Sequence, residues 1–498
     1  MTRGTWQSLS DAYRTGVAGA VSALWVIFAI DIVAARPYHI EPVAETVMDA
    51  TPVVLAVPLL RLLGPFAKPL ALWGAIALVL VLGGLAGVLL SRCYGVVVSR
   101  PSWQRSAIVG SIAAVFVLEA LVLLRAGVVI GIAAGVYVVV VSLLNRSRCR
   151  PPGDARRTLL KQLGLTVATF GVATFAFGDA LRRGKQAERV RAAPFVEAQV
   201  GQPDPPPWDT PGLSALVTPT SRFYTMSKNV ADPVIPPDAW GLDIFGGEHR
   251  SFVRLTPADI LALPRVHQYV TLECISNAVG GPLMGNAMWT GVQLQHLLDL
   301  VGVSAGTRRV IVRAEDGEDD SLPLEDARHP LVLLAYGMGG EWLRPEHGYP
   351  LRLLVPGWYG FKSVKWLRSM TLSPDDYQGH WQRRNWVDRA IIHPVARIDF
   401  AQESATGLLT GGVALTGGRG VSAVDVRANG GAWQAATLRV PPLGEATWVQ
   451  WMATLAVRGE VLVEARVIDG AGQPQTAVTQ GQFPSGATGY HTVRVTVG

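Results

Sequence analysis

Five long apolar segments in the first 180 residues limit what this chain can become. They cover about 17–35, 70–90, 106–124, 127–144 and 162–178, each near the roughly 17–25 residues a helix needs to cross a bilayer. A sixth apolar run, 51–64, is short and holds Pro52, Pro58 and Arg61, so it reads as a re-entrant or interfacial piece. Residues 1–180 are thus expected to form an α-helical membrane domain of about five spans.

Lys and Arg give the orientation. A cytoplasmic N-terminus puts Arg3, Arg14, Arg92, Arg100, Arg105, Arg146, Arg148, Arg150, Arg156, Arg157 and Lys161 inside, against Arg36, Arg61, Lys68 and Arg125 outside. Everything after Gly178 is then expected outside the cytoplasm, carried by a multi-pass cell-membrane protein. The last span follows Arg156-Arg157-Thr-Leu-Leu-Lys161, similar to a twin-arginine export signal. The one histidine of the membrane part, His39, lies in a loop, so no haem is expected between the spans. Asp31 and Glu119 sit near the outer ends of their spans and read as groups reaching for the interface. The net charge of +6 does not point to nucleic acid, because the Arg residues cluster at the ends of apolar segments rather than along a groove.

Beyond the spans, residues 181–212 are polar and proline-rich, ending GQPDPPPWDTPG, which makes a stiff tether. Residues 213–394 mix strand-like runs (252–255, 268–272, 310–312, 351–355) with a short amphipathic helix at 291–301, an α+β pattern. Residues 395–498 hold seven or so short strands between Gly, Pro and Asn turns, which fits an all-β immunoglobulin-like sandwich. Its Trp433, Trp448 and Trp451 read as core and interface aromatics.

Two stretches of the 213–394 domain carry chemistry. Cys274 is the one cysteine outside the apolar third, since Cys93 and Cys149 both fall within it. The chain changes at this sulfur from strand-like Val270-Thr-Leu to loop-like Ser276-Asn277 and Gly280-Gly281-Pro282. A ligand or nucleophile fits such a junction, and so does a buried thiol acting as a small hydrophobe. About 75 residues later, HGYPLRLLVPGWYGFKSVKWL brings His347, Arg352, Lys362 and Lys365 into 19 residues. Guanidinium forks and backbone N–H groups in a glycine-containing loop suit a phosphate or another anion.

The pair TLECISN…GG…WTG and HGYPLRLLVPGWYGFKSVKWL resembles the sulfite oxidase family of molybdenum enzymes, over about residues 223–372, with a sandwich like the family's C-terminal dimerisation domain. The resemblance implies a mononuclear molybdenum held by one molybdopterin, with Cys274 as the only protein ligand. It implies cofactor contacts from Ser221, Tyr224 and Thr225, from His347 and Arg352, and from Ser363, Val364 and Lys365, with Lys362 in the same basic loop. The family's arginines for sulfite are replaced here by Met226 and by Ser276-Asn277-Ala278. Asp316 and Glu318 are left as candidates for the substrate pocket. The spans and the resemblance together imply a membrane-anchored oxidoreductase that moves an oxygen atom to or from a small substrate. Its electrons pass to a separate partner or a quinone, and a homodimer through the sandwich is expected. The alternatives are a sulfoxide or N-oxide reductase of the same fold and a non-catalytic membrane-tethered binding or assembly module.

Overall fold

The structure is a computed structural model. It describes residues 207–498 apart from 229–231, 234, 237–239 and 250, together with Tyr13, Val17, Val81 and Leu85. The expected spans and the 51–64 run, the twin-arginine pair, His39, Asp31, Glu119, Cys93 and Cys149 lie outside the described residues, except for Val17, Val81 and Leu85, which are helical. Among the described residues no helix is long and apolar enough to cross a membrane. The chain divides into two compact units, Met1–Gln186 with Ser227–Val234 and Ala187–Met226 with Ile235–Gly498. Every numbered strand and helix belongs to the second.

Two five-stranded sheets build the α+β part. The first takes β1 (Leu242–Phe245), β2 (Phe252–Leu255), β5 (Arg309–Ala314), β6 (Asp319–Pro323) and β10 (Leu367–Ser373) in the order β2-β1-β10-β5-β6. Only β1 and β10 run parallel, with Asp243 opposite Ser369. The second orders β3 (Arg265–Glu273), β4 (Met284–Gln293), β7 (Leu333–Met338) and β8 (Glu341–Trp342), with β9 (Arg352–Leu354) added along β7.

Strand β4 shows why sequence and position agree. Nine of its ten residues, MGNAMWTGVQ, are buried, so the strand has a neighbour on both faces and reads as a run of apolar and small residues rather than an alternation. Gly291 is required there because a Cβ would run into the Leu334 carbonyl of β7. Helix α1 (Pro257–Leu261) starts on a capping box between Thr256 and Asp259, which satisfies two backbone donors. Helix α2 (Leu294–Val301) buries Leu294, Leu297, Leu298 and Val301, one face at helical spacing, and ends at Gly302 with φ of 72°. The short α3 (Leu324–Ala327) follows β6. The expected helix at 291–301 thus starts three residues late, because Gly291 to Gln293 pair with Leu333 to Ala335 of β7.

Residues from Val395 onward form two four-stranded antiparallel sheets. One is β11 (Val395–Ser404), β12 (Gly407–Leu415), β16 (Val449–Leu455) and β15 (Thr437–Leu438); the other is β14 (Gln434–Ala435), β13 (Val421–Ala428), β17 (Gly459–Asp469) and β18 (His491–Val497). Val461, Val463, Ala465 and Val467 alternate inward along β17, as a half-buried strand must. Trp448 and Trp451 are buried. Trp433 is not core: it is half-buried between the guanidinium groups of Arg427 and Arg466, each 4.4 Å from its ring centre. A separate apolar cluster, with Ile275, Met284, Tyr359, Trp386, Val413, Leu415 and Trp448, seals the sandwich onto the α+β part.

Candidate active site

Cys274 follows directly on β3, where the chain leaves the ladder with β4. Its N–H donates to Leu283 O at 2.9 Å, its carbonyl accepts from Asn277 N at 2.9 Å, and Sγ lies 2.9 Å from Ser276 Oγ. Asn277 closes the loop, donating to Glu273 Oε1 at 2.9 Å and accepting from Leu283 N at 3.0 Å. The sulfur is therefore fixed by backbone on both sides while its side chain stays partly accessible. Burial pushes the thiol up, and the Ser276 hydroxyl works against it.

Phe223 brings the segment 220–225 to the same place. Its ring stacks on Tyr224 at 5.5 Å and meets Trp289 and His347 edge-on at 5.7 and 5.9 Å. Tyr224 is close enough to Cys274 and Arg352 for both to act on its hydroxyl, whose pKa burial raises well above the usual value. A Cβ at Gly360 would lie 2.6 Å from that hydroxyl, so the chain must be bare there. Ser221 and Thr225 are exposed beside it.

His347 is 2% exposed, and its Nε2–H donates to Thr220 O at 3.1 Å. Burial lowers its pKa to about 4, so the ring is neutral at pH 7. Arg352 donates to His347 O and Ser363 O, both at 3.0 Å, and lies 5.2 Å from the centre of the Trp289 ring. Its Nε is buried with no partner. Burial lowers this guanidinium to about 10; Tyr224 and Glu318 act the other way.

The remaining expected residues divide. Lys365 lies 4.0 Å from the Trp366 ring centre and donates to Glu346 O at 3.1 Å. Ser363 Oγ accepts from Val355 N at 3.0 Å, and Val364 is in the main core, so both side chains hold the protein itself. Lys362 is not in the cradle. It is fully buried, and its three donors reach Asp320 Oδ1 at 2.6 Å, Ser321 O at 2.9 Å and Asp388 Oδ1 at 3.3 Å. An ammonium has three donors, so this correction follows from saturation. Glu318 accepts from Trp381 Nε1 at 2.9 Å, and its N–H donates to Asp316 Oδ1 at 3.0 Å. Asp316 therefore shapes the turn that presents Glu318.

Sequence reasoning passed over Glu273 and Tyr359. Glu273 is buried with Oε2 unpartnered, and burial raises it to about 7. With Tyr359, His393 and Gln475 it lines a cavity of about 10 Å³. One signal was available: a carboxylate directly after the Val270-Thr-Leu run and directly before the cysteine.

The family model for the oxidoreductase molybdopterin binding domain matches residues 229–381. Sulfite oxidase of Arabidopsis thaliana is 28% identical over 330 residues, covering 53% of this chain and 83% of that protein. An uncharacterized oxidoreductase of Bacillus subtilis, YuiH, is 34% identical over 147 residues, covering 30% of this chain and 72% of its own length. Human mitochondrial sulfite oxidase is 30% identical over 271 residues, covering 45% of this chain and 49% of that protein. The chain thus spans about half the length of the human relative it matches. The non-catalytic module falls away, and the chain belongs to the sulfite oxidase family of molybdopterin-dependent oxidoreductases, whose cofactor is molybdenum with molybdopterin.

Proposed function

We propose that this oxidoreductase is anchored in the cell membrane and works outside the cytoplasm, moving an oxygen atom to or from a small substrate. The observation that carries the site is the convergence of Cys274, Tyr224 and Arg352, with a buried guanidinium Nε that has no partner in the protein. An unpartnered buried donor costs about 1–3 kcal/mol, so it suits a bound acceptor. Among the described residues no group of three or more His, Cys, Asp or Glu could hold a metal. A metal at Cys274 would draw its other ligands from a non-protein group, and soft thiolate and dithiolene sulfurs suit molybdenum. The residues present fit the molybdenum cofactor on these grounds.

When bound, the cofactor supplies a centre for two-electron oxygen-atom transfer. The protein's part is holding and shaping. Cys274 offers the thiolate, and Arg352, Lys365 and the backbone at 364–365 offer donors to the anionic end. Neutral His347 fixes the segment 220–225 through Thr220 O, and Tyr224 closes the side facing Gly360. The apolar segments 17–178 would anchor the chain, the twin-arginine pair would export the folded domain, and a separate protein or quinone would exchange the electrons. A homodimer through the sandwich remains part of this proposal.

One observation favours reduction of a sulfoxide or N-oxide over oxidation of sulfite. Glu318 is oriented by Trp381 and lies near enough to Arg352 to act on it. A carboxylate opposes a dianionic substrate and tolerates a neutral dipolar one. The test has two arms. Molybdenum and pterin analysis of the wild type against Cys274→Ser should show a folded variant with metal-centred activity lost; full activity with bound molybdenum would sink the ligand assignment. Parallel assays with sulfite and with sulfoxides then fix the direction.

A further inference from the structure

The sandwich does more at this site than cover it. Arg397, on β11, is 8% exposed and crosses from the sandwich to the loop that follows Cys274. Its guanidinium donates to Gly281 O at 3.2 Å, to Ser214 Oγ at 2.6 Å and to Asp399 Oδ1 at 2.6 Å. Asp399 accepts in turn from Ser214 N at 2.9 Å. Arg397 and Asp399 stand two residues apart on β11, the spacing that puts side chains on one face of a strand. The guanidinium also lies 5.8 Å from the centre of the Trp448 ring, and Trp448 N donates to Thr271 Oγ1 of β3 at 2.8 Å.

A second contact meets the same loop. His491, at the start of β18, accepts from Ile398 N through Nδ1 at 2.9 Å, which turns its Nε2 edge onto Gly280. Gly280 has φ of 79° and no room for a Cβ against that ring. Gly281 is equally confined, because a Cβ there would run into Asn277 Oδ1. The tip of the loop is held from outside by Arg397 and His491, and its root is closed by Asn277 and by the bond from Cys274 N to Leu283 O. A shift of the tip is therefore passed to the sulfur.

We propose that Arg397 is a positioning residue: from the sandwich, it fixes the 275–283 loop so that Cys274 Sγ stands where a metal can take it. The proposal rests on the reading of Cys274 as the ligand. A binding constellation has to be held within about 0.5 Å by its supporting residues. Arginine is needed because one planar fork serves three acceptors, which an ammonium cannot reproduce in the same geometry.

The test uses the full chain in two forms. In cofactor-free protein, the rate of Cys274 alkylation by iodoacetamide is followed by peptide mass spectrometry. In cofactor-loaded protein, molybdenum content, kcat and KM are measured. Arg397→Met is expected to raise the alkylation rate about tenfold and to lower kcat by about 10- to 100-fold, the usual effect of losing a group behind a metal ligand. KM should change far less. Arg397→Lys and Ser214→Ala should move both readouts in the same direction by smaller factors, and they carry the test if Arg397→Met does not fold. Arg427→Met, on the same sandwich but stacked on Trp433, should leave both unchanged. A wild-type alkylation rate in the folded Arg397 variants overturns the proposal, whatever kcat does, because the loop would not have moved. Molybdenum retained with full activity in Cys274→Ser would instead overturn the ligand assignment on which it rests.

Discussion

Arg352 and Lys362 are two buried cations ten residues apart in one segment, and their surroundings are opposite. Arg352 hydrogen-bonds only to backbone carbonyls and keeps its Nε unpartnered near Cys274 and Tyr224. Lys362 is closed in by Asp320, Asp388 and the Ser321 carbonyl. Arg309 joins that network through Asp388 at 2.8 Å. Burial pushes the Asp320 carboxyl up even beside Lys362. A charge whose compensation lies within the protein is a structural clip. One whose hydrogen bonds go only to carbonyl dipoles is poised for an anion from outside.

The largest expected effect breaks the clip. Lys362→Met leaves the Asp320 carboxylate buried without its cation, which should cost about 3–5 kcal/mol. Urea unfolding of the cofactor-free protein reads this, and Asp320→Leu in the same chain should recover most of the loss. If Lys362→Met unfolds like the wild type but sheds molybdopterin, the two cations have been assigned the wrong way round.

Next in size is the cradle. Arg352→Gln should weaken cofactor retention about 10- to 100-fold, read as pterin content after dialysis, with a smaller effect on unfolding than Lys362→Met.

A pH series sharpens the same contrast. His347 has a folded pKa of about 4, below its usual 6.5. The unfolded chain binds the extra proton between those values, so stability is present above pH 6.5 and falls as pH drops toward 4. His347→Gln should flatten that limb of the cofactor-free protein, by at most about 3 kcal/mol. Glu273 acts in the opposite sense: raised to about 7, it contributes stability below pH 4.5 that is lost as pH rises to 7. The smallest effect belongs to Glu318→Gln, which should improve KM for sulfite several-fold while leaving unfolding within about 0.5 kcal/mol.

Local rules made part of this legible. The turn from Val270-Thr-Leu into Ser276-Asn277 placed Cys274 at a strand end because β propensity and loop residues change within three positions. The stretch 351–355 was readable as a strand, and β17 matched its apolar alternation residue for residue. His347 and Arg352 stood out by their motif as candidates for holding an anion. Other features had no local signal. The neighbouring short strands β14 and β15 join different sheets. Lys362 looked like Arg352 because its carboxylate partners lie 42 and 26 residues away in the sequence. Arg397 carried no local signal, since its acceptor, Gly281 O, is 116 residues distant.

The sequence alone determined the order of the apolar, α+β and all-β parts, the strand carrying the cysteine, and the family. Each of these depends on composition, periodicity or a motif over a few neighbouring residues. Tertiary structure alone decided which cations are neutralised, that His347 is neutral, and that the sandwich reaches back to the loop behind Cys274. These are matters of burial and partnership, and both are set by residues that meet only after the chain has folded.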